Sequence, residues 1–229
     1  MDLVSKYKIE NFVAKLKAMA EEAAAEQAHL GEQFNDPVAS KTDWSPCKGG
    51  GTNFRTHKLV VSGAYSAAFK PSIGGLIFYS IFLLAGLGAL GLGMFFLVSG
   101  IDTLSGGLWI VLLVGLIFSA AGGAMLYFGT KPIVFDLATN RLIRGRSNKT
   151  IVMDYRDQKG IVPLDQLYAL QILAERVSGS DNSYYSYELN LVMYDGRRVN
   201  VVDHGDLKRL RKDAQQLAQM LGKPLWDVA

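Results

Sequence analysis

Residues Ile73–Ser99 read IGGLIFYSIFLLAGLGALGLGMFFLVS, without one Asp, Glu, Lys, Arg or His. A bilayer hydrocarbon core of about 30 Å is crossed by about 20 apolar residues in a helix. This stretch therefore predicts a membrane-spanning helix with length to spare for tilt. Pro71 falls at its first turn, where the missing N–H costs nothing. A second run, Leu108–Gly129 (LWIVLLVGLIFSAAGGAMLYFG), is equally free of charge. Two such runs joined only by Gly100–Gly107 predict a transmembrane hairpin over residues 71–130, rather than a buried helix pair in a soluble protein.

Working outward, the charges next to the runs orient them. The connecting turn contains Asp102 but no Lys or Arg. Arg55, Lys58 and Lys70 precede the first run, and Lys131, Arg141, Arg144 and Arg146 follow the second. The positive-inside rule places both flanks in the cytoplasm and the turn outside. Lys70, Lys131, Arg141, Arg144 and Arg146 are the residues expected to meet lipid headgroups and set this topology. Trp109 and Tyr127 suit interfacial belts. Met1–Ala20 mixes lysines with Glu10 and lacks a continuous apolar core, so it does not read as a signal peptide. Small residues recur at every fourth position, as Ala85, Ala89 and Gly93 and as Gly115, Ser119 and Gly123. These stripes are expected to let the helices pack closely, within the hairpin or between copies. A pore or transporter normally carries an ionisable residue inside the membrane; these spans have no acidic, basic or His residue.

Beyond Lys131 the pattern changes to short alternating runs. Ile133–Asp136 and Arg141–Arg146 flank a turn at Ala138–Asn140, followed by Thr150–Met153, Ile161–Pro163, Tyr168–Leu173, Tyr187–Tyr194 and Arg198–Asp203. Asp195-Gly196 is a two-residue turn signal. Asp206–Leu221 places Leu207, Leu210, Ala214, Leu217, Ala218 and Leu221 on one helical face, with Gly222 just beyond. This order of strands closed by one helix, after a pair of membrane helices, resembles bacterial inner-membrane proteins with a pleckstrin-homology-like cytoplasmic domain. The resemblance covers residues 131–222, with 223–229 as a tail. It implies a partly open β-barrel or sandwich capped by a helix, and a binding or scaffolding role without catalysis. The fold class expected is thus an α+β membrane protein in the bacterial inner membrane.

At the other end, residues 1–32 read as an amphipathic helix with Ile9, Phe12, Leu16 and Met19 spaced for one face. Its glutamate-rich second half opposes lying on an anionic membrane, which favours protein contact. Residues 33–70 read as a linker in which Lys58–Ser62 and Tyr65–Phe69 form a small hairpin, free to add strands to the C-terminal domain. Tyr184 and Tyr185 follow the polar run Ser178–Ser183 and are candidates for a partner contact.

The composition narrows the chemistry. A formal net charge of +3 is too small for a chain built around a polyanion, so no nucleic-acid partner is expected. Cys47 is the sole cysteine, which excludes an internal disulfide. His29, His57 and His204 lack metal-ligand spacing with each other or with Cys47, so no metal is expected. Gly49–Gly51 lacks the Lys-Ser/Thr of a phosphate loop. No cofactor, small-molecule substrate or enzymatic activity is expected. The residues point to an anchor or scaffold that binds a protein partner or forms a homo-oligomer. The alternatives are a membrane-resident immunity or accessory protein against an inner-membrane toxin, and an oligomeric pore or transport subunit.

Overall fold

The computed structural model describes residues 3–100, 107–145, 160–178 and 182–229. Strands β1 (His57–Val61), β2 (Ser66–Pro71), β3 (Ile133–Asp136), β4 (Arg141–Arg144) and β5 (Gly160–Pro163) form an antiparallel sheet in that order. The two long apolar helices, α2 (Ile73–Ser99) and α3 (Gly107–Gly129), sit between β2 and β3 in sequence. Yet β2 and β3 are hydrogen-bonded neighbours, with Phe69 opposite Ile133. The helical hairpin is therefore an insertion into one sheet. Residues 57–71, grouped in sequence with the linker, supply two of that sheet's strands because Ala67 and Phe69 bury completely against Phe135 and Leu142.

With 27 and 23 residues, α2 and α3 measure about 40 Å and about 35 Å at 1.5 Å per residue. Both are long and apolar enough to cross a membrane. Apart from the seam between them they present apolar side chains outward, with Leu84 66%, Phe95 59% and Ile110 63% exposed. Ser72 starts α2 by accepting the Gly75 N–H on its hydroxyl at 2.9 Å.

The second sheet contains β6 (Leu167–Ser178), β7 (Ser183–Met193) and β8 (Arg198–His204), antiparallel, with β9 (Leu225–Asp227) parallel to β6 at the far edge. Strand β9 falls in the stretch expected as a tail. It is held because Trp226 is 3% exposed and Arg211 clasps Asp227 at 2.6 Å. Strands β6 and β7 run farther than their apolar alternation suggests, pairing out to Ser178 opposite Ser183. The added residues, such as Glu175, Arg176 and Ser186, are polar, so only the backbone ladder marks them as strand. The expected strand Thr150–Met153 lies outside the described residues.

Helix α4 (Leu207–Leu221) begins where Asp206 accepts the Arg209 N–H at 3.0 Å, and ends at Gly222 with φ +62°. A left-handed residue there terminates the helix without the strain a Cβ would bring. Leu210, Ala214 and Leu217 are fully buried in the core between the two sheets, together with Leu170, Ile172, Leu189 and Leu191.

Residues 33–56 do not behave as a free linker. They lie along the outer face of the second sheet, and their Val38, Ala39 and Trp44 form a second core with Ala169, Leu173, Val192 and Trp226. Phe34 stacks on Trp44 at 5.2 Å, and both rings reach Trp226. Helix α1 (Leu3–Glu32) meets the body near its end, where Leu30 packs on this second core.

Candidate functional site

The densest set of polar side chains lies on the outer face of β6–β8, beneath residues 43–52. Alternation along β7 turns Glu188 and Asn190 outward while Leu189 and Leu191 point inward. The fully buried Glu188 carboxylate accepts the N–H groups of Cys47 at 2.8 Å and Lys48 at 2.9 Å. Asn190 donates to the same carboxylate at 3.1 Å. Glu175 accepts from Gly50 at 2.9 Å and Gly51 at 3.2 Å. Arg198 donates to the Ser45 carbonyl at 2.6 Å and pairs with Asp43 at 2.8 Å. Tyr184 donates to the Gly51 carbonyl at 2.8 Å.

Most of these contacts are charge-assisted and directed at backbone groups, so they fix a chain segment rather than present a reactive atom. Burial pushes the Cys47 thiol up to about 11, which keeps it protonated at neutral pH. Burial also raises the Asp203 carboxyl, against the lowering effect of its hydrogen bond from Asn200. Among the described residues no group of His, Cys, Asp and Glu side chains has an arrangement that would hold a metal ion.

A second polar group gathers where β1, β8 and α4 meet. Arg55 pairs with Asp213 at 2.5 Å, and Asp213 also accepts the Leu59 N–H at 3.2 Å. His204 is fully buried and neither ring nitrogen has a hydrogen-bond partner among the described residues. Burial, reinforced by the Arg55 charge, lowers His204 to about 4, and burial lowers His57 as well. Close by, the foot of α2 opens into a pocket of about 650 Å³ whose lining includes Arg55, Lys58, Phe78 and Arg209.

The candidate residues from the sequence are scattered by comparison. In the α2–α3 seam Gly93 faces Leu112, Gly115 faces Leu90 and Gly86, and Ser119 faces Gly86. Ala85 is exposed, Ala89 half-buried, and open space surrounds the position a Cβ would take on Gly123. The seam runs instead through Leu83, Gly86, Leu90 and Gly93 on α2 and Leu112, Gly115, Ser119 and Gly122 on α3. A strict four-residue step drifts about 40° per step around a 3.6-residue helix, whereas alternating three- and four-residue steps hold one face.

Among the cations, Lys131 sits 4.4 Å from the Phe128 ring centroid at the end of α3, while Lys70 and Arg141 are exposed. Arg144 is half-buried, with one guanidinium nitrogen that has no partner among the described residues, and Arg146 lies outside them. Phe12, Leu16 and Met19 are 63%, 49% and 57% exposed on α1; nothing is described of the Ile9 side chain. Tyr184 is bound within the chain, whereas Tyr185 is 56% exposed.

The residues that sequence reasoning missed are those of the 43–52 segment and its receptors Glu188, Glu175 and Arg198. Trp44 within an otherwise polar stretch was the available signal, since a large ring in a linker asks for a burial site. No protein-family model, curated protein or solved structure matches the chain.

Proposed function

We propose that this chain is a bacterial inner-membrane protein, with both termini cytoplasmic, whose pleckstrin-homology-like domain scaffolds a protein partner or a second copy. Three features support the membrane anchor: two charge-free helices, their outward apolar surface, and the Lys and Arg residues on both flanks. The domain resemblance is supported by two packed sheets closed by α4, now drawn from residues 57–71 and 131–229 rather than from 131–222 alone. We read the scaffold as non-enzymatic, and the use of Glu188, Glu175 and Arg198 to hold the chain's own backbone supports that reading.

The observation that carries the binding role is α1. This helix of 30 residues contacts the body near its last turns and leaves Phe12, Val13 and Met19 more than half exposed, with Leu16 at 49%. A contiguous apolar stripe on a projecting helix is a contact surface in search of a cover. Mild crosslinking in native membranes followed by affinity purification of the full chain tests this. The expected result is a stoichiometric partner or a crosslinked second copy, lost when Phe12→Asp and Leu16→Asp are combined. Recovery of monomer alone, from wild type and variant alike, would sink the reading.

A further inference from the structure

The pocket at the foot of α2 has a mixed lining of cationic and apolar side chains. Arg55, Lys58 and Arg209 supply the charge, while Phe54, Ile73 and Phe78 supply the apolar wall. Arg55 is matched by Asp213 at 2.5 Å and Arg209 by Asp206 at 3.1 Å. Lys58 has no acidic partner among the described residues, and the register of β1 on β2 sets it directly opposite Lys70. Like charges opposed across a strand pair repel unless an anion is shared between them. The Ser72 hydroxyl is already used by Gly75 N–H, so the first-turn N–H groups of Ile73 and Gly74 have no intrahelical acceptor and border the same pocket. On the same helix Ile73 and Ile77 are 67% and 56% exposed.

An unmatched Lys58, open N–H groups in the first turn of α2 and apolar lining side chains match one chemistry: a phosphate joined to hydrocarbon. We propose that this pocket holds the headgroup phosphate of an anionic phospholipid. The phosphate lies between Lys58, Arg209 and the first turn of α2, with an acyl chain along Ile73, Ile77 and Phe78. The inference rests on reading α2 and α3 as membrane helices. It names a pocket separate from the general headgroup attraction of Lys70 and Arg141, neither of which lines it.

The test is native mass spectrometry of the full chain in mild detergent, titrated separately with phosphatidylglycerol, phosphatidylcholine and inorganic phosphate. One phosphatidylglycerol should stay bound where phosphatidylcholine does not, and the pair Lys58→Gln with Arg209→Gln should weaken retention about tenfold or more. Arg141→Gln should leave retention unchanged, and each variant should keep the wild-type thermal midpoint in lipid-free detergent. Equal retention of both lipids, or an equal loss with Arg141→Gln, would overturn the site. Displacement of the lipid by inorganic phosphate at matched concentration would overturn the lipid in favour of a soluble phosphate ligand. Alkaline extraction of native membranes run in parallel separates the two readings. A chain released by carbonate defeats the membrane anchor, whereas a retained chain with no phosphatidylglycerol preference defeats only the pocket.

Discussion

The inner face of β6–β8 meets Phe69, Phe135, Leu142 and the α4 residues Leu210 and Leu217, whereas much of the outer face meets residues 43–52 through carboxylates, amides and a guanidinium. Both faces exclude water: Leu189 and Leu191 on one side, and Glu188 and Asn190 on the other, are all fully buried. The difference lies in what each face tolerates. An apolar core responds to lost volume and accepts swaps of similar size. A face closed by directed bonds responds to a change of one atom from acceptor to donor, because a buried group then stays unpaired. The outer face also contains an apolar part, around Trp44 and Trp226, so the segment 33–56 is held by packing at one end and by polar bonds at the other.

His204 crosses this division, being a polar side chain on the inner side without a partner among the described residues. Its folded value of about 4 lies below its ordinary value of 6.5. Between those values the unfolded chain binds the extra proton, so stability is fully present above pH 6.5 and declines as pH falls toward 4. The expected loss is on the order of 3 kcal/mol. His57 shifts in the same direction and adds to it. Asp36 and Asp43 are held below their ordinary value of 3.8, so their loss of stability comes at lower pH. Thermal unfolding in detergent between about pH 7 and pH 4.5 should show the decline. His204→Phe should remove most of it, and an unchanged slope in that variant would assign the dependence elsewhere.

On the outer face the sharpest probe is Glu188→Gln, which preserves shape and removes charge. One oxygen becomes an NH₂ that meets the Cys47 or Lys48 N–H donor to donor. We expect a loss of about 2 kcal/mol, since two charge-assisted bonds are weakened and one is reversed. Release of the segment would show as faster tryptic cleavage after Lys48, with residues 131–145 as protected as in wild type. Equal resistance of wild type and variant would mean that the apolar end around Trp44 holds the segment alone.

Physical causes separate what the sequence displays from what it conceals. The two long helices are legible because each carries its whole signal locally, as an uninterrupted apolar run. Helix α4 is legible for a similar reason: its apolar face repeats within its own 15 residues. The pairing of β2 with β3 is not local, because it brings residues 66–69 against 133–136 across the entire hairpin. The alternation at 65–69 announces a strand without announcing its partner. The polar face is still less visible. Glu188 and Asn190 alternate with leucines as any solvent-facing strand positions would, and only the distant segment 43–52 makes them buried. The pocket at the foot of α2 draws Arg55 and Lys58, Ile73, and Arg209 from three separate stretches, and Arg55 and Lys58 read in sequence only as topology signals.

The smallest expected effect isolates how closely the polar strap is seated. Gly51 lies so near β7 that a methyl group there would overlap the Ser186 side chain. Gly51→Ala must therefore lift the segment locally and strain the Glu175 bond to Gly51 N–H and the Tyr184 bond to its carbonyl. Overpacking of this kind costs about 1.5 kcal/mol. Ser186 has a buried hydroxyl with no hydrogen-bond partner among the described residues, so no described polar contact is lost when it is trimmed. Ser186→Gly carries its own cost of glycine in a strand, which makes the coupling between the two changes the informative quantity. If the strap is seated on Ser186, the double variant should be more stable than the sum of the single changes by about 1 kcal/mol. Strict additivity would mean that residues 49–52 already stand off the sheet in solution, and the contrast between the two faces would then rest on Glu188 and Arg198 alone.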